Sequence, residues 1–335
     1  MNSISSGLVR YEADQSLVTQ GNQLIEGSYD INLAEIRLLW LALSKVDSKN
    51  PKPENEFTLT ASEYSKMYEL DISNCSSQMK TVAETLGTKP IITYEFNDKR
   101  KRLEKVILYW FSSIRYGLNN GADLTLRFSD EVSQFLYELK TEFTQMNILS
   151  MVKLDTPFSF RLFSWLSRYK NLDKYKKNGV VTTEAISIDW MKDRAGLTGR
   201  YSDFKNFRVR LIDPAIEAIN RTTELSVSYE TIKIGKTVTH IVFSYINEKD
   251  SAYLKVKPMP PKLPRRPRVI KNSHDEGVWA RKCLELLKKY ESDLLGYDVN
   301  SKVPIAYLRK MASYYNVIGD KLGEKMILKE IENRK

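Results

Sequence analysis

Between residues 185 and 246 the apolar positions switch from alternation to helical period and back. Ala185 to Ile188 reads as a short strand, and Asp189 to Ala195 as a short helix ended by Gly196. After a turn carrying Gly199, the residues Phe204, Phe207, Leu211, Ala215 and Ile219 fall at i, i+3, i+7, i+11 and i+15. That spacing predicts one helix from Tyr201 to Asn220 with those residues as its buried stripe. Pro214 interrupts it, and because proline lacks a backbone donor, a kink or a restart with Pro214 in a first turn is expected. Two alternating runs, Leu225 to Ile234 and Val238 to Ile246, flank Gly235 and predict a β-hairpin. Helix, turn, helix, hairpin is the order of a winged helix, a fold whose second helix enters a DNA major groove.

The far side of that second helix carries Ser202, Asn206, Val209 and Asp213, with Lys205 and Arg210 on its shoulders and Arg208 nearer the buried side. Arginine and lysine read guanine edges or hold phosphates, and asparagine bonds adenine through two contacts. Taken alone, the same face reads more readily as a solvated helix surface.

The pattern occurs twice. Residues 1–30 read as irregular or partly extended. Ile31 to Val46 predicts a helix buried through Leu33, Ile36, Leu39, Trp40 and Leu43, with Asn32 as N-cap. Residues 50–53 form a loop, Glu56 to Leu59 a short strand, and Thr60 caps a helix from Ala61 to Leu70. A further helix starts at Ser73 or Asn74, buries Cys75, Met79, Val82, Ala83 and Leu86, and ends at Gly87. Pro90 to Phe96 and Lys105 to Tyr116 alternate as strands across a basic connection, Asn97 to Arg102. The second copy opens with a helix from Pro157 to Lys170, capped by Thr156. Recurrence of one supersecondary unit is a stronger signal than either copy. The segment between, Ala122 to Ile148, reads as strand, helix (Ser129 to Leu139), strand, and is expected to pack the two units together.

Charge sharpens this picture. The net charge is +10. From Asn247 onward 20 basic residues face 12 acidic ones, and Arg161 to Arg210 holds 12 against 5. A basic segment leading into the second helix is the footprint of a nucleic-acid binder. Pro258, Pro260, Pro261, Pro264 and Pro267, with Arg265, Arg266, Arg268 and Lys271, predict an extended basic linker. Helical patterns follow at Gly277 to Leu295, Ile305 to Val317 and Lys321 to Ile331. The longest apolar run, Leu38 to Leu43, is too short to span a bilayer, and the start of the chain lacks a secretory pattern. Cys75 and Cys283 fall on apolar faces, so buried free thiols and a reducing cytoplasm are expected.

Five stretches, in order, resemble iteron-binding plasmid replication initiators. They are Gln20 to Leu39, Thr58 to Tyr64, Phe160 to Leu166, Leu211 to Asn220, and Lys233 to Thr237 with Ile241 to Phe243. The resemblance covers roughly residues 8 to 247 and implies an α+β protein of tandem winged-helix domains, here with a helical C-terminal extension. It implies a first domain over 1–121 for DNA contact and dimerisation, a connecting segment over 122–150, and a main DNA reader over 151–247. A linker over 248–274 and the extension over 275–335 lie beyond it. In such a family, monomers bind tandem repeats in double-stranded origin DNA and open the origin. Dimers in equilibrium with them repress the initiator's promoter or limit copy number, and the host supplies its initiator and helicase. By the same resemblance, base contacts pass to Ser202, Lys205, Asn206 and Arg210, and backbone contacts to Arg200 and Arg208. In the first domain Ser77, Lys80 and Thr81 are implied, with Lys89 at the wing's entry; Glu84 on that face makes it the weaker reader.

No catalytic chemistry or cofactor is expected. His240 and His274 are far apart, the tyrosines follow apolar patterns, and Asp71 and Asp123 lack an acidic partner. Gly235-Lys236-Thr237 matches the end of a phosphate-binding loop, but Glu230 occupies the leading glycine position and the context is a hairpin turn. Lys233 and Lys236 stand at that wing tip, facing phosphate or solvent. A winged-helix transcription regulator without an origin role is the alternative; a mobilisation enzyme would need metal-dependent cleavage that these residues do not support.

Overall fold

The computed structural model describes residues 17–49, 55–117, 123–247, 258–271, 273–297 and 301–334. Two units separate by their contacts, Met1–Ala252 and Tyr253–Lys335. No helix among the described residues is long and apolar enough to cross a membrane.

The described part of the first unit opens with β1 (Leu17–Gly21) and α1 (Asn22–Glu26), within the segment expected to be irregular or partly extended. Helix α2 (Leu33–Leu43) starts at the predicted Asn32, whose side chain accepts from the Glu35 amide while Glu35 answers from its carboxylate. Its burial exceeds one stripe: Leu38, Leu41 and Ala42 are buried with Ile36, Leu39, Trp40 and Leu43, so other elements cover it almost all round. Strand β2 (Glu56–Thr60) leads into α3 (Ala61–Tyr68), capped by Thr60 and Glu63 in the same reciprocal way. Helix α4 spans Ile72–Gly87; its cap is Asp71, earlier than the Ser73 or Asn74 expected, because the Asp71 carboxylate takes the Ser73 amide at 2.9 Å.

The predicted strand from Lys105 to Tyr116 is two strands. Strands β3 (Pro90–Asn97) and β4 (Arg102–Tyr109) make the first wing, and β5 (Phe111–Tyr116) joins another sheet. The break falls at Trp110, which turns into the core and is 1 % exposed. Strand β6 (Asp123–Phe128) lies between β2 and β5, so the first part of the expected connector completes the first winged helix. The helix expected over 129–139 contracts to α5 (Asp130–Ser133); Glu138 then takes a positive φ of 51°, which no helix accommodates. Strand β7 (Phe143–Asn147) pairs with β1, and α6 (Ile148–Met151) follows.

Helix α7 (Pro157–Ser167) opens the second copy, with Thr156 as N-cap and Pro157 in the first turn. It is buried from Phe158 to Ser167 and meets α2 through Trp40 and Phe160, whose ring centroids lie 6.5 Å apart. A small hairpin missing from the sequence reading, β8 (Lys176–Lys177) and β9 (Val180–Thr182), turns at Asn178 and Gly179, both at positive φ. Strand β10 (Ile186–Ser187), α8 (Ile188–Arg194), α9 (Phe204–Phe207), α10 (Asp213–Thr222), β11 (Leu225–Ile234) and β12 (Thr237–Asn247) complete the winged helix. Strand β12 pairs with β11 along one edge and with β10 and β9 along the other.

The second unit holds α11 (His274–Tyr297), α12 (Ile305–Val317) and α13 (Lys321–Glu332). They share a core that includes Cys283, Leu287, Leu308, Met311 and Ile331, with Trp279 set edge-on to Tyr314 at 5.2 Å. The Pro-rich segment is not a free linker throughout. Leu263 packs on this core, the Trp279 indole donates to the Pro264 carbonyl at 3.0 Å, and Arg266 pairs with the buried Glu276. Cys75 and Cys283 are both free and buried.

Candidate nucleic-acid interface

The second helix of the second winged helix is not uniform. Helix α9 runs four residues from the Asp203 cap, Arg208–Ile212 form a π turn, and α10 continues from Asp213 with Pro214 in its first turn. Proline cannot donate to the turn before it, and widening that turn by one residue absorbs the missing bond. The inserted residue shifts the buried stripe. Leu211, expected inside, is half-buried, and Ile212 takes its place at 0 % exposure beside Phe207, Ala215 and Ile219.

The same shift turns cations outward. Arg208, read from α-periodicity as nearer the buried side, is exposed and pairs with Asp213 at 3.5 Å. Lys205, Asn206 and Arg210 are exposed along α9 and the π turn; Arg200 and Ser202 are exposed in the loop before them. Ser202 therefore precedes the helix it was expected to belong to. Among the described residues, these five side chains have no hydrogen-bonding or ion-pair partner, so their donors face solvent.

The helix is held against its wing by two side chains that the sequence reading missed. The Tyr229 hydroxyl donates to Asp213 at 2.8 Å. Asn220 accepts from the Val227 amide at 2.6 Å and donates to the Val227 carbonyl at 2.9 Å, pairing the outer edge of β11. Asn220→Ala strands both backbone groups and should lower stability by roughly 1–3 kcal/mol, read as a lower urea midpoint. The wing itself leaves the core after Tyr229. Residues 230–237 are all exposed; Lys236 lies in a two-residue turn with Gly235, whose φ is 62°, and Lys233 stands two residues before that glycine.

The first winged helix offers less. On α4, Ser77 and Thr81 are exposed, but the Thr81 hydroxyl bonds back to the Ser77 carbonyl at 3.3 Å. Lys80 donates to the Gly117 carbonyl at 2.8 Å and lies over the Tyr116 ring, while Tyr116 donates to Glu84. Lys89 is withdrawn from the face: its ammonium lies 2.6 Å from Glu35, a carboxylate 1 % exposed. An uncompensated charge at Glu35 is costly, so Lys89 is committed to the fold. At the wing tip Arg100 and Arg102 share Glu104, and Lys101 pairs with Asp98. One face of that wing is apolar instead, with Tyr94, Phe96, Leu103, Ile107 and Tyr109 all exposed.

A tight junction joins the two winged helices within their unit. Ser28 bridges Ile92 of the first wing through two backbone bonds of 2.8 Å, and its hydroxyl donates to the Asp193 carbonyl of α8. Arg161 of α7 lies beneath, fully buried. Its Nη2 donates to the Gly27 carbonyl at 2.6 Å and the Arg194 carbonyl at 3.0 Å, with the Tyr29 ring centroid 3.9 Å from the guanidinium carbon. Burial lowers its pKa and the nearby Tyr29 opposes that shift.

Known proteins match these parts. The model described as Initiator Replication protein, WH1, matches residues 17–167, and that of Initiator Rep protein, WH2, residues 187–245. An uncharacterised 27.6 kDa protein of Escherichia coli is 23 % identical over 237 residues, which cover 67 % of this chain and 93 % of that one. The crystal structure of the Pi initiator protein in complex with iteron DNA superposes with a TM-score of 0.58 at 20 % identity, covering 71 % of this chain and 99 % of that one. With one winged-helix model matched from β1 through α7 and the other from β10 into β12, this chain belongs to the family of initiator replication proteins.

Proposed function

We propose that this initiator starts plasmid replication by gripping tandem repeats in origin DNA through its second winged helix. The observation that carries the reading is the row of unpartnered donors at Lys205, Asn206 and Arg210 on an exposed, π-widened helix. The solved complex of the similarly folded Pi initiator with iteron DNA supports the choice of repeats as ligand. Lys205 and Asn206, in the first turn of α9, and Arg210, one turn on, face base edges. Arg200, Arg208, Lys233 and Lys236 face phosphates, and Ser77, Lys80 and Thr81 give a weaker second grip.

In this reading the chain does no bond chemistry and needs no cofactor. Several molecules on adjacent repeats strain a neighbouring A·T-rich segment, and their contacts offset the deformation. The apolar face of the first wing receives a second copy, which makes a repressing dimer in equilibrium with the initiating monomer. Host initiator and helicase then enter the opened DNA.

Base reading and phosphate holding separate by mutation. Arg210→Ala or Asn206→Ala should cost roughly 1–3 kcal/mol of discrimination while leaving salt-sensitive non-specific binding in place. Lys236→Ala should weaken binding to all sequences and reduce the log–log salt slope by about 0.9. Selection of bound sequences from a random duplex pool, with wild-type and variant side by side, measures both. Equal base preference in wild-type and Arg210→Ala contradicts the assignment.

A further inference from the structure

Outside both matched family models lies a segment with an unusual period. Lys262, Arg265 and Arg268 recur every third residue, and Lys271 continues the interval past a bend. Pro260, Pro261, Pro264 and Pro267 set the backbone here. Each ring fixes φ near the polyproline value, and each residue before a proline is driven to the same region. A polyproline II strand has three residues per turn and rises about 3.1 Å per residue, so every third side chain lines one face at intervals of about 9 Å.

The row next to the cations is occupied. Leu263 packs on the helical core and Arg266 pairs with Glu276, while Val269, the next member, is half-buried. The Trp279 bond to the Pro264 carbonyl fixes the strand from another side. Lys262, Arg265, Arg268 and Lys271 are all exposed, and among the described residues none has a hydrogen-bonding or ion-pair partner. The side chains that dock this strand and the side chains that face outward are thus sorted onto different rows.

We propose that this row is a second DNA-binding site, a rigid cationic strand that takes the phosphate backbone of duplex DNA next to the sequence held by the second winged helix. The inference rests on the DNA-binding reading of that domain. A preset strand binds with little loss of chain entropy, and a row of four cations matches a polyanion. Eleven peptide units join Asn247 to Pro258, a contour of at most about 40 Å, roughly one turn of duplex. A tether of that length raises the local concentration of duplex, so that modest contacts suffice.

The test uses the full chain and a fluorescent 40-base-pair duplex of random sequence, titrated across a sodium chloride series. The variant Lys262→Ala/Arg265→Ala/Arg268→Ala/Lys271→Ala leaves Leu263, Arg266 and the prolines in place. It should lower the log–log salt slope by about 3–4 and weaken low-salt binding at least tenfold. A charge-matched control on the helices, Lys282→Ala/Lys289→Ala/Lys325→Ala/Lys329→Ala, should stay within twofold of wild-type. Arg265→Lys/Arg268→Lys keeps the charge and should keep the slope, which guards against a fold defect in the larger variant. Unchanged slope and affinity in the row variant, or an equal loss in the control, overturns the proposal. So does loss of binding only to phosphatidylserine vesicles. Failure of the wild-type chain to bind any duplex defeats the parent reading instead, and is told apart by the wild-type titration alone.

Discussion

Gly196→Ala should destabilise the winged-helix unit by roughly 3 kcal/mol, from a left-handed backbone cost of about 1–2 kcal/mol and an overpacking cost of about 1–3 kcal/mol. Gly196 has a φ of 66°, and a methyl group there meets Asp30 Cβ at 2.5 Å and Asp30 Cα at 2.8 Å. A flexible side chain cannot relieve that contact, because one of the atoms is backbone. The Asp30 segment is itself held by Ser28 and Tyr29 against α8, so the clash falls on the junction between the two winged helices. Gly199→Ala is the matched control, since its φ is 78° and nothing lies within 4 Å of the added methyl. It should cost only the backbone part. Urea unfolding of both variants, followed by tryptophan fluorescence, checks the difference; Trp165 and Trp190, with ring centroids 5.1 Å apart, lie beside the junction. Equal losses in the two variants would mean that Asp30 yields.

Arg161→Ala is expected to be comparably damaging, on the order of 3 kcal/mol. A hydrogen bond to a charged donor contributes about 1.5–3 kcal/mol, and Nη2 makes two of them to carbonyls on opposite sides of the junction. Against this stands the desolvation of a fully buried guanidinium, which the substitution returns. Arg161→Met should therefore recover part of the loss, because it refills the volume without a buried charge. Lysine should not rescue, since a single ammonium cannot reproduce a planar donor set stacked near Tyr29. An alanine variant with an unchanged urea midpoint would show that the charge offsets its own contacts.

Much of the architecture is legible in local pattern. The caps at Asn32, Thr60 and Thr156 sit where the spacing places them, because a cap is a matter of three or four neighbouring residues. The tandem winged helices follow from the order of periods alone. What local pattern does not contain is the identity of distant partners. Lys89 looks free at a wing's entry until Glu35, 54 positions away, is folded beside it. Gly27 and Ser28 give no sign in the local pattern of serving the junction, because their partners lie on α7 and α8.

The π turn is a subtler loss. Apolar residues at 204, 207 and 211 fit a single α-helix, and only Pro214 signals that one residue is inserted. That insertion decides which side chains face outward, so the exposure of Arg208 follows from it and not from simple periodicity. Asn178-Gly179 is a residue pair that suits a hairpin turn, but it escapes the pattern because strands of two and three residues are too short to show alternation. Trp110 divides a run, Lys105 to Tyr116, that reads as one strand, and its indole is buried in the core where the two strands part.

The most direct test is a footprint of the purified full chain on the DNA flanking its own coding region. The expected result is a ladder of protected sites at regular spacing near two helical turns, about 21 base pairs, with every site gripped in the same register. A single palindromic site upstream of the gene would contradict it and point to a transcription regulator, and a strand break in place of protection would show that the chain cuts DNA.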